Sequence, residues 1–164
     1  MKAGKYGYID HKGSLVIRPV YDYAFDFSEE YAVVGIGSKY GFIDKRGVVL
    51  GTFSYSFARG FSEGLAAVAP NGKWGFIDKS GILAIPAKYE EVGDFSEGLA
   101  WVQIDGKRGY INVYGDLVVP PKYDSTSDFW NGMAEVIQYP KSEGDLEVHT
   151  VINNAGVPIP LGNK

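Results

Sequence analysis

The chain has 164 residues, enough for one ordinary core or for roughly four or five small stacked units. At 45% hydrophobic and 15% aromatic it reads as an ordered protein, and a net charge of −4 with dispersed Lys and Arg gives no basic stripe for nucleic acid. It has no Cys, which excludes a disulfide framework, thiolate metal sites and a Cys nucleophile.

The opening Met1-Lys2-Ala3 lacks the basic and apolar regions of a signal peptide, and no long apolar span follows, so no membrane insertion is expected. Gly7, Gly41, Gly75 and Gly109 are 34 residues apart, and most of what surrounds them recurs at that step. The copies are read at residues 4–37, 38–71, 72–105 and 106–139, with a decayed capping copy at 147–164 in a single array spanning 1–164. Helical tetratricopeptide arrays share this period. Here, however, the apolar runs are short, rich in Val, Ile, Tyr and Phe, and broken by Gly, which suits strands rather than helices.

In the third copy Trp74 to Asp78 is the first predicted strand (A) and Ile82 to Ile85 the second (B). Between them Asp78-Lys79-Ser80-Gly81 has the chemistry of a type I turn with a G1 bulge. Its Asp caps the turn and its Gly takes φ > 0. Asp10, Asp44 and Asn112 hold the same slot and are read as turn builders. Pro86, matched by Pro120, is expected to end ladder pairing. A Tyr-acid segment follows (Tyr21-Asp22, Tyr89-Glu90, Tyr123-Asp124, with Tyr55-Ser56 the exception). Next comes the turn Phe95-Ser96-Glu97-Gly98, where Gly98 is a second φ > 0 position. Glu30 holds that slot in the first copy and should show a strained backbone or a different turn there.

Strand C, Leu99 to Gln103, alternates so that Ala100 and Val102 share the packed face. It enters the next strand A through a two-residue hairpin, of type I′ at Asn71-Gly72 and Asp105-Gly106 and type II′ at Gly37-Ser38. The expected sheet order is C-A-B, with the Tyr-to-Phe segment crossing to the next sheet. A propeller blade has four strands in about 40–45 residues, and this unit offers three in 34. The fold class expected is therefore all-β: tandem three-stranded antiparallel meanders in an open, solenoid-like array, with a propeller-like ring as the alternative. The last copy carries an insertion at 140–146, and the Tyr6/Tyr40/Trp74 position becomes Arg108 and then His149, while the recurring Gly becomes Thr150. Polar replacement of stacking residues is what a cap requires.

The string Gly72-Lys73-Trp74-Gly75-Phe76-Ile77-Asp78, followed by Gly81, Ile85-Pro86, Tyr89 and Phe95-Ser96-Glu97-Gly98-Leu99-Ala100, resembles the WG repeat of bacterial proteins. Trp-Gly itself occurs once; the other copies read Tyr6-Gly7, Tyr40-Gly41 and Arg108-Gly109. The resemblance implies a β-rich repeat module in bacterial, often multi-domain proteins, and brings no catalytic residues with it.

No nucleophilic triad or metal-ligand spacing is present, and the two His residues, His11 and His149, share no local motif. The glycines flank strands rather than opening a helix, so they cradle no phosphate. Two charged rows recur, Lys5, Lys39, Lys73 and Lys107, and Glu29, Glu63 and Glu97. They read as solvated rows that pair across the A–C hairpin at ~0–1 kcal/mol each. Aromatics that recur at the repeat step form the core, so those that break it are the candidate partner-binding residues. These are Trp101, Trp130, Tyr114 and Tyr139, all in the C-terminal half. The expected function is a non-enzymatic binding or scaffold module that recognises a protein or a cell-envelope glycan, without metal or cofactor, in a cell-surface or secreted setting. The alternative is an envelope-polymer hydrolase drawing a carboxylate pair from Asp94, Glu97 and Asp105.

Overall fold

The computed structural model describes residues 4–140, 142 and 145–160; parts of the expected insertion (141, 143 and 144) and of the last copy (161–164) lie outside the described residues. Sixteen strands make up the described elements. β1 (Tyr6–Ile9) pairs with β2 (Leu15–Tyr21). β3 (Tyr23–Ser28), β4 (Tyr31–Ile36), β5 (Lys39–Asp44) and β6 (Val49–Tyr55) form a four-stranded meander, repeated by β7 (Phe57–Ser62), β8 (Leu65–Ala69), β9 (Trp74–Asp78) and β10 (Leu83–Tyr89). Two three-stranded sheets follow, β11 (Leu99–Ile104), β12 (Lys107–Asn112) and β13 (Leu117–Tyr123), then β14 (Ser125–Thr126), β15 (Met133–Gln138) and β16 (Val148–Asn153). The chain divides into two compact units, Met1–Ala87 and Lys88–Lys164, and in each the short antiparallel sheets form an open, solenoid-like succession rather than a barrel.

The Asp/Asn turns form as the residue types dictate. In all five copies a side-chain oxygen of Asp10, Asp44, Asp78, Asn112 or Asn153 accepts from the backbone N–H groups two and four residues on. The glycine that closes each turn has φ between 75° and 84°.

Three expectations change. The Tyr-to-Phe segment does cross to the next sheet, but there it becomes a strand (β3, β7 or the short β14) paired to strand C, so full sheets have four strands. Its two-residue irregularity, between Ala24 and Phe27 or Ala58 and Phe61, breaks the alternation that marks a strand in sequence. Pro86 and Pro120 do not end strand B. They sit in bulges where three residues of strand B face one glycine of strand A: Arg108 pairs with Tyr123 and Tyr110 with Val119, leaving 120–122 opposite Gly109. A bulge tolerates a residue that lacks an N–H donor. Finally, Asn71-Gly72 is not a type I′ turn; only Gly72 has φ > 0, and residues 70–73 form a longer loop because Pro70 cannot extend the ladder.

The bulge explains the strand-A glycine at Gly7, Gly75 and Gly109, while at Gly41 the Phe53 ring takes the space, 3.2 Å from a Cβ. A Cβ on Gly75 would stand 2.5 Å from the Ile85 carbonyl oxygen and 2.6 Å from the Ala87 nitrogen, so the backbone of strand B occupies the space of a side chain.

The Ala/Val face of strand C is buried in every copy, and in β4 and β8 the other face is buried too, whereas in β15 Met133 and Glu135 stay exposed. Ala32, Val34 and Ile43 pack against Ile17 and Tyr21 of the preceding sheet, while Val33 and Phe42 pack against Phe61, Ala66, Val68 and Ile77 of the following one. In the second unit Leu99, Tyr110 and Val119 meet Phe129, Ala134, Val136 and Ile152 in the same way. One aromatic pair recurs at each of these junctions: Tyr8 with Phe27 at 4.9 Å, Phe42 with Phe61 at 5.2 Å, and Tyr110 with Phe129 at 4.8 Å, all edge-to-face. Tyr8 and Tyr110 also donate their hydroxyls to the Phe25 and Ser127 carbonyls, both at 2.8 Å. Burial pushes the Tyr110 phenol far above its ordinary pKa.

The Phe-Ser-Glu-Gly turn is a two-residue hairpin with φ > 0 at both central residues. Glu97 has φ 54° and Gly98 φ 80°, and Glu30 stands at 81°, the strain expected of it. The glutamates tolerate this backbone because each ties one turn to the next. Glu29 Oε2 accepts from the Gly64 N–H at 2.9 Å and Glu97 Oε2 from the Gly132 N–H at 2.7 Å. Beside them Ser28 Oγ donates to the Phe61 carbonyl at 2.5 Å and Ser96 Oγ to the Phe129 carbonyl at 2.8 Å.

These two kinds of glycine separate in experiment. Nothing lies within 4 Å of a Cβ on Gly98, so Gly98→Ala carries only the left-handed backbone cost of about 1 kcal/mol. Gly75→Ala displaces backbone and costs roughly 3 kcal/mol or more. Urea unfolding of the two variants measures the difference; equal losses would overturn the bulge account.

Candidate functional site

The variable surface of the repeat is a cross-strand rung at the hairpin end of each sheet. Its three positions are the residue two after the core Tyr, the end of strand C and the start of strand A. In the second sheet Tyr23 pairs with Gly35 and Gly35 with Tyr40; the two rings meet 5.8 Å apart over the glycine, and Phe25 lies 6.5 Å from Tyr40. In the third sheet Phe57 stacks on Trp74 at 6.1 Å with Ala69 paired to Phe57 between them, and the Arg59 guanidinium sits 5.3 Å above the indole. In the second unit the same rung is an ion pair, Glu91 to Arg108 at 3.0 Å, with Gln103 paired to Arg108. In the last sheet it is Ser125, Ile137 and His149.

The aromatic rungs of the first unit leave large apolar surface in water. Tyr6, Tyr23, Phe25 and Phe57 are each about half exposed. Tyr6 and Tyr23, with Gly4, Asp22 and Gly37, wall a depression of about 470 Å³. Asp22 lies within it as a fixed anion: Lys5 Nζ donates to Oδ1 at 2.6 Å and the Gly37 N–H to Oδ2 at 2.9 Å. These bonds, Lys5 first, hold its carboxyl below the ordinary aspartate range.

The same arrangement accounts for the charged rows. Lys107 pairs with Asp124, whose Oδ2 also accepts from the Tyr139 N–H at 2.9 Å, and Lys39 reaches Ser56 where the acid is absent. Glu90 Oε2 accepts from the Gly106 N–H at 2.9 Å. The Lys row thus bonds the Tyr-acid segment, and the Glu row bonds the next turn. Desolvation works against the charge of Glu29, yet the Gly64 N–H and Lys79 hold its carboxyl below its ordinary value.

The four aromatics expected from the sequence occupy different places. Trp101 is half-buried in β11 against the core of its sheet pair; its indole fills the space left by Gly93, and the Arg108 guanidinium covers it at 4.1 Å. Tyr114 (83% exposed) is at the β12–β13 turn and Trp130 (76% exposed) at the β14–β15 turn, at the same end of successive sheets. Tyr139 is exposed at the opposite end, after β15. No ring contact among the described residues joins any two of the four. Glu97 and Asp105 flank β11 at its two ends, whose six residues span roughly 20 Å, twice the reach of a hydrolytic carboxylate pair. Among the described residues no group of three or more His, Asp or Glu is placed to hold a metal. Among the described residues no helix is long and apolar enough to cross a membrane.

Fold and surface define a tandem β-repeat module. The family model described as "WG containing repeat" matches residues 6–40, 40–74, 74–107 and 109–138, and the chain belongs to that family. No curated protein matches it in sequence. A solved structure described as a crystal structure of the eukaryotic initiation factor has a similar fold, with a TM-score of 0.58 at 11% identity. The likeness covers 84% of this chain and 43% of that one, so the chain spans less than half the length of that structure.

The polar rung of the last sheet titrates. Glu135 Oε1 and Glu147 Oε1 each lie 2.8 Å from an imidazole nitrogen of His149, and these bonds, Glu135 first, raise its pKa above the ordinary histidine value. A raised folded pKa means that its stabilisation is complete below the unfolded value near ~6.5 and is lost as pH rises through the folded one. NMR titration should place the His149 midpoint above ~6.5, and Glu135→Gln should lower it. A midpoint at or below that value would show that the bonds do not persist in solution.

Proposed function

We propose that the array is a non-catalytic binding module that takes a glycan on the aromatic rungs of its first unit. One observation carries the reading: Tyr6 and Tyr23 wall a depression of about 470 Å³ beside the Asp22 carboxylate, and the Tyr23–Tyr40 rung continues from it. Exposed aromatic faces suit the C–H faces of sugar rings, and a fixed carboxylate suits their hydroxyls. The rung is also where the repeat varies while its core does not, as expected of a surface selected for recognition rather than folding. Family membership supports a repeat module and supplies no catalytic residues.

A second reading places a protein partner on Trp130 and Tyr114, because two rings this exposed at one end of successive sheets resemble a partner's anchor points. Calorimetry with soluble cell-wall glycan fragments separates the two. Tyr23→Ala should weaken binding roughly tenfold, about 1.4 kcal/mol, while Trp130→Ala leaves it unchanged. Loss in Trp130→Ala alone would move the site to the second unit. Identical binding by the wild-type chain and both variants would remove both surfaces as the glycan site.

A further inference from the structure

One position in the row of Tyr-acid segments lacks its acid. In the first copy the Asp22 carboxylate joins the Lys5 ammonium, at 2.6 Å, to the Gly37 N–H, at 2.9 Å. In the fourth copy Asp124 joins Lys107 to the Tyr139 N–H, and in the third Glu90 accepts from the Gly106 N–H. The second copy has Ser56 in this place. There Lys39 Nζ lies 3.3 Å from the Ser54 carbonyl and 3.4 Å from the Ser56 hydroxyl, both longer than an ordinary charge-assisted hydrogen bond. No carboxylate among the described residues pairs with it. Gly72, one repeat before Gly106, is exposed, and its N–H has no acceptor among the described residues.

We propose that Lys39, Ser56 and the Gly72 N–H form a carboxylate site, and that its ligand is a uronate unit of the glycan bound on the aromatic rungs. The proposal rests on the glycan reading of the first unit and names the class of sugar. The other copies supply the template, since in each an internal carboxylate takes the place that Ser56 leaves open. An ammonium, a hydroxyl and a backbone N–H together offer a carboxylate the donors that Asp22 and Asp124 find. Asp22 lines the depression between Tyr6 and Tyr23, and the residues one repeat on are Tyr40, Ser56 and Phe57. Phe57 follows Ser56 in the chain, is 58% exposed and stacks on Trp74. A carboxylate carried on a sugar ring uses both features at once, the charge through its acid and the aromatic face through its C–H bonds.

The probe is a short oligogalacturonate, compared with the same oligosaccharide after carboxyl reduction, each titrated calorimetrically into the full chain. The acid form should bind roughly tenfold tighter, the scale of one hydrogen bond to a charged group, and should shift the Gly72 amide resonance. Lys39→Ala should remove the preference. Ser56→Asp should remove it too, because it fills the site from within as Asp22 does in the first copy. The same variant should raise the melting temperature, so its lost preference is not a folding defect. Lys12→Ala, which removes an exposed lysine in the β1–β2 turn, should leave the preference intact. Equal binding of the two forms, weakened in both by Tyr23→Ala, would overturn the carboxylate site and leave the glycan reading standing. A preference that survives both Lys39→Ala and Ser56→Asp would overturn it as well. Binding of neither form would also overturn the site, and the titration with cell-wall fragments then decides the glycan reading alone. A glutamate-rich peptide that binds more tightly than the uronate, and is lost in Lys39→Ala, would overturn the sugar as its occupant.

Discussion

Within both units an edge-to-face aromatic pair recurs where one sheet meets the next. A sheet of two to four short strands cannot bury its own faces, so its stability is that of its neighbours. The ring on strand A (Tyr8, Phe42 or Tyr110) meets the Phe that opens the following turn (Phe27, Phe61 or Phe129) at about the same distance each time. Other features hold that ring in register. The bulge of strand B folds over the adjacent glycine, the Ala of strand C leaves room beside the isoleucine, and the Ser and Glu of one turn bond the backbone of the next.

This division of labour separates scaffold from surface. Positions that fix one sheet on another are held at every step. The cross-strand rung lies at the hairpin end of each sheet and varies as Tyr-Gly-Tyr, Phe-Ala-Trp, Glu-Gln-Arg and Ser-Ile-His. Recognition surfaces can then be changed rung by rung without disturbing the core, which is how solenoid-like arrays present binding faces.

Much of the fold was legible in the residues. Asp78 and Gly81 announce their turn, Asp105-Gly106 its hairpin, and the Val/Ile/Tyr/Phe runs their strands, because each depends on local chemistry alone. The strand from Tyr23 to Ser28 was hidden by its irregularity, and Pro86 read as a terminator because nothing local marks a bulge. Glu97 at positive φ was equally invisible, since its reason is a glycine 35 residues away. The candidate surface was less legible still. Residues that break the repeat point to Trp101 and Trp130, but the meeting of Tyr23 with Tyr40 over Gly35 exists only once three strands are in register.

The account rests on the claim that the aromatic junction, and not merely apolar area, couples one sheet to the next. A double-mutant cycle on Phe42→Leu and Phe61→Leu, read by urea unfolding, tests it most directly because both rings are buried and 5.2 Å apart. Coupling of about 1 kcal/mol is expected from the edge-to-face geometry. Losses that add to within about 0.3 kcal/mol would contradict it and leave the backbone ties between turns as the connection that matters.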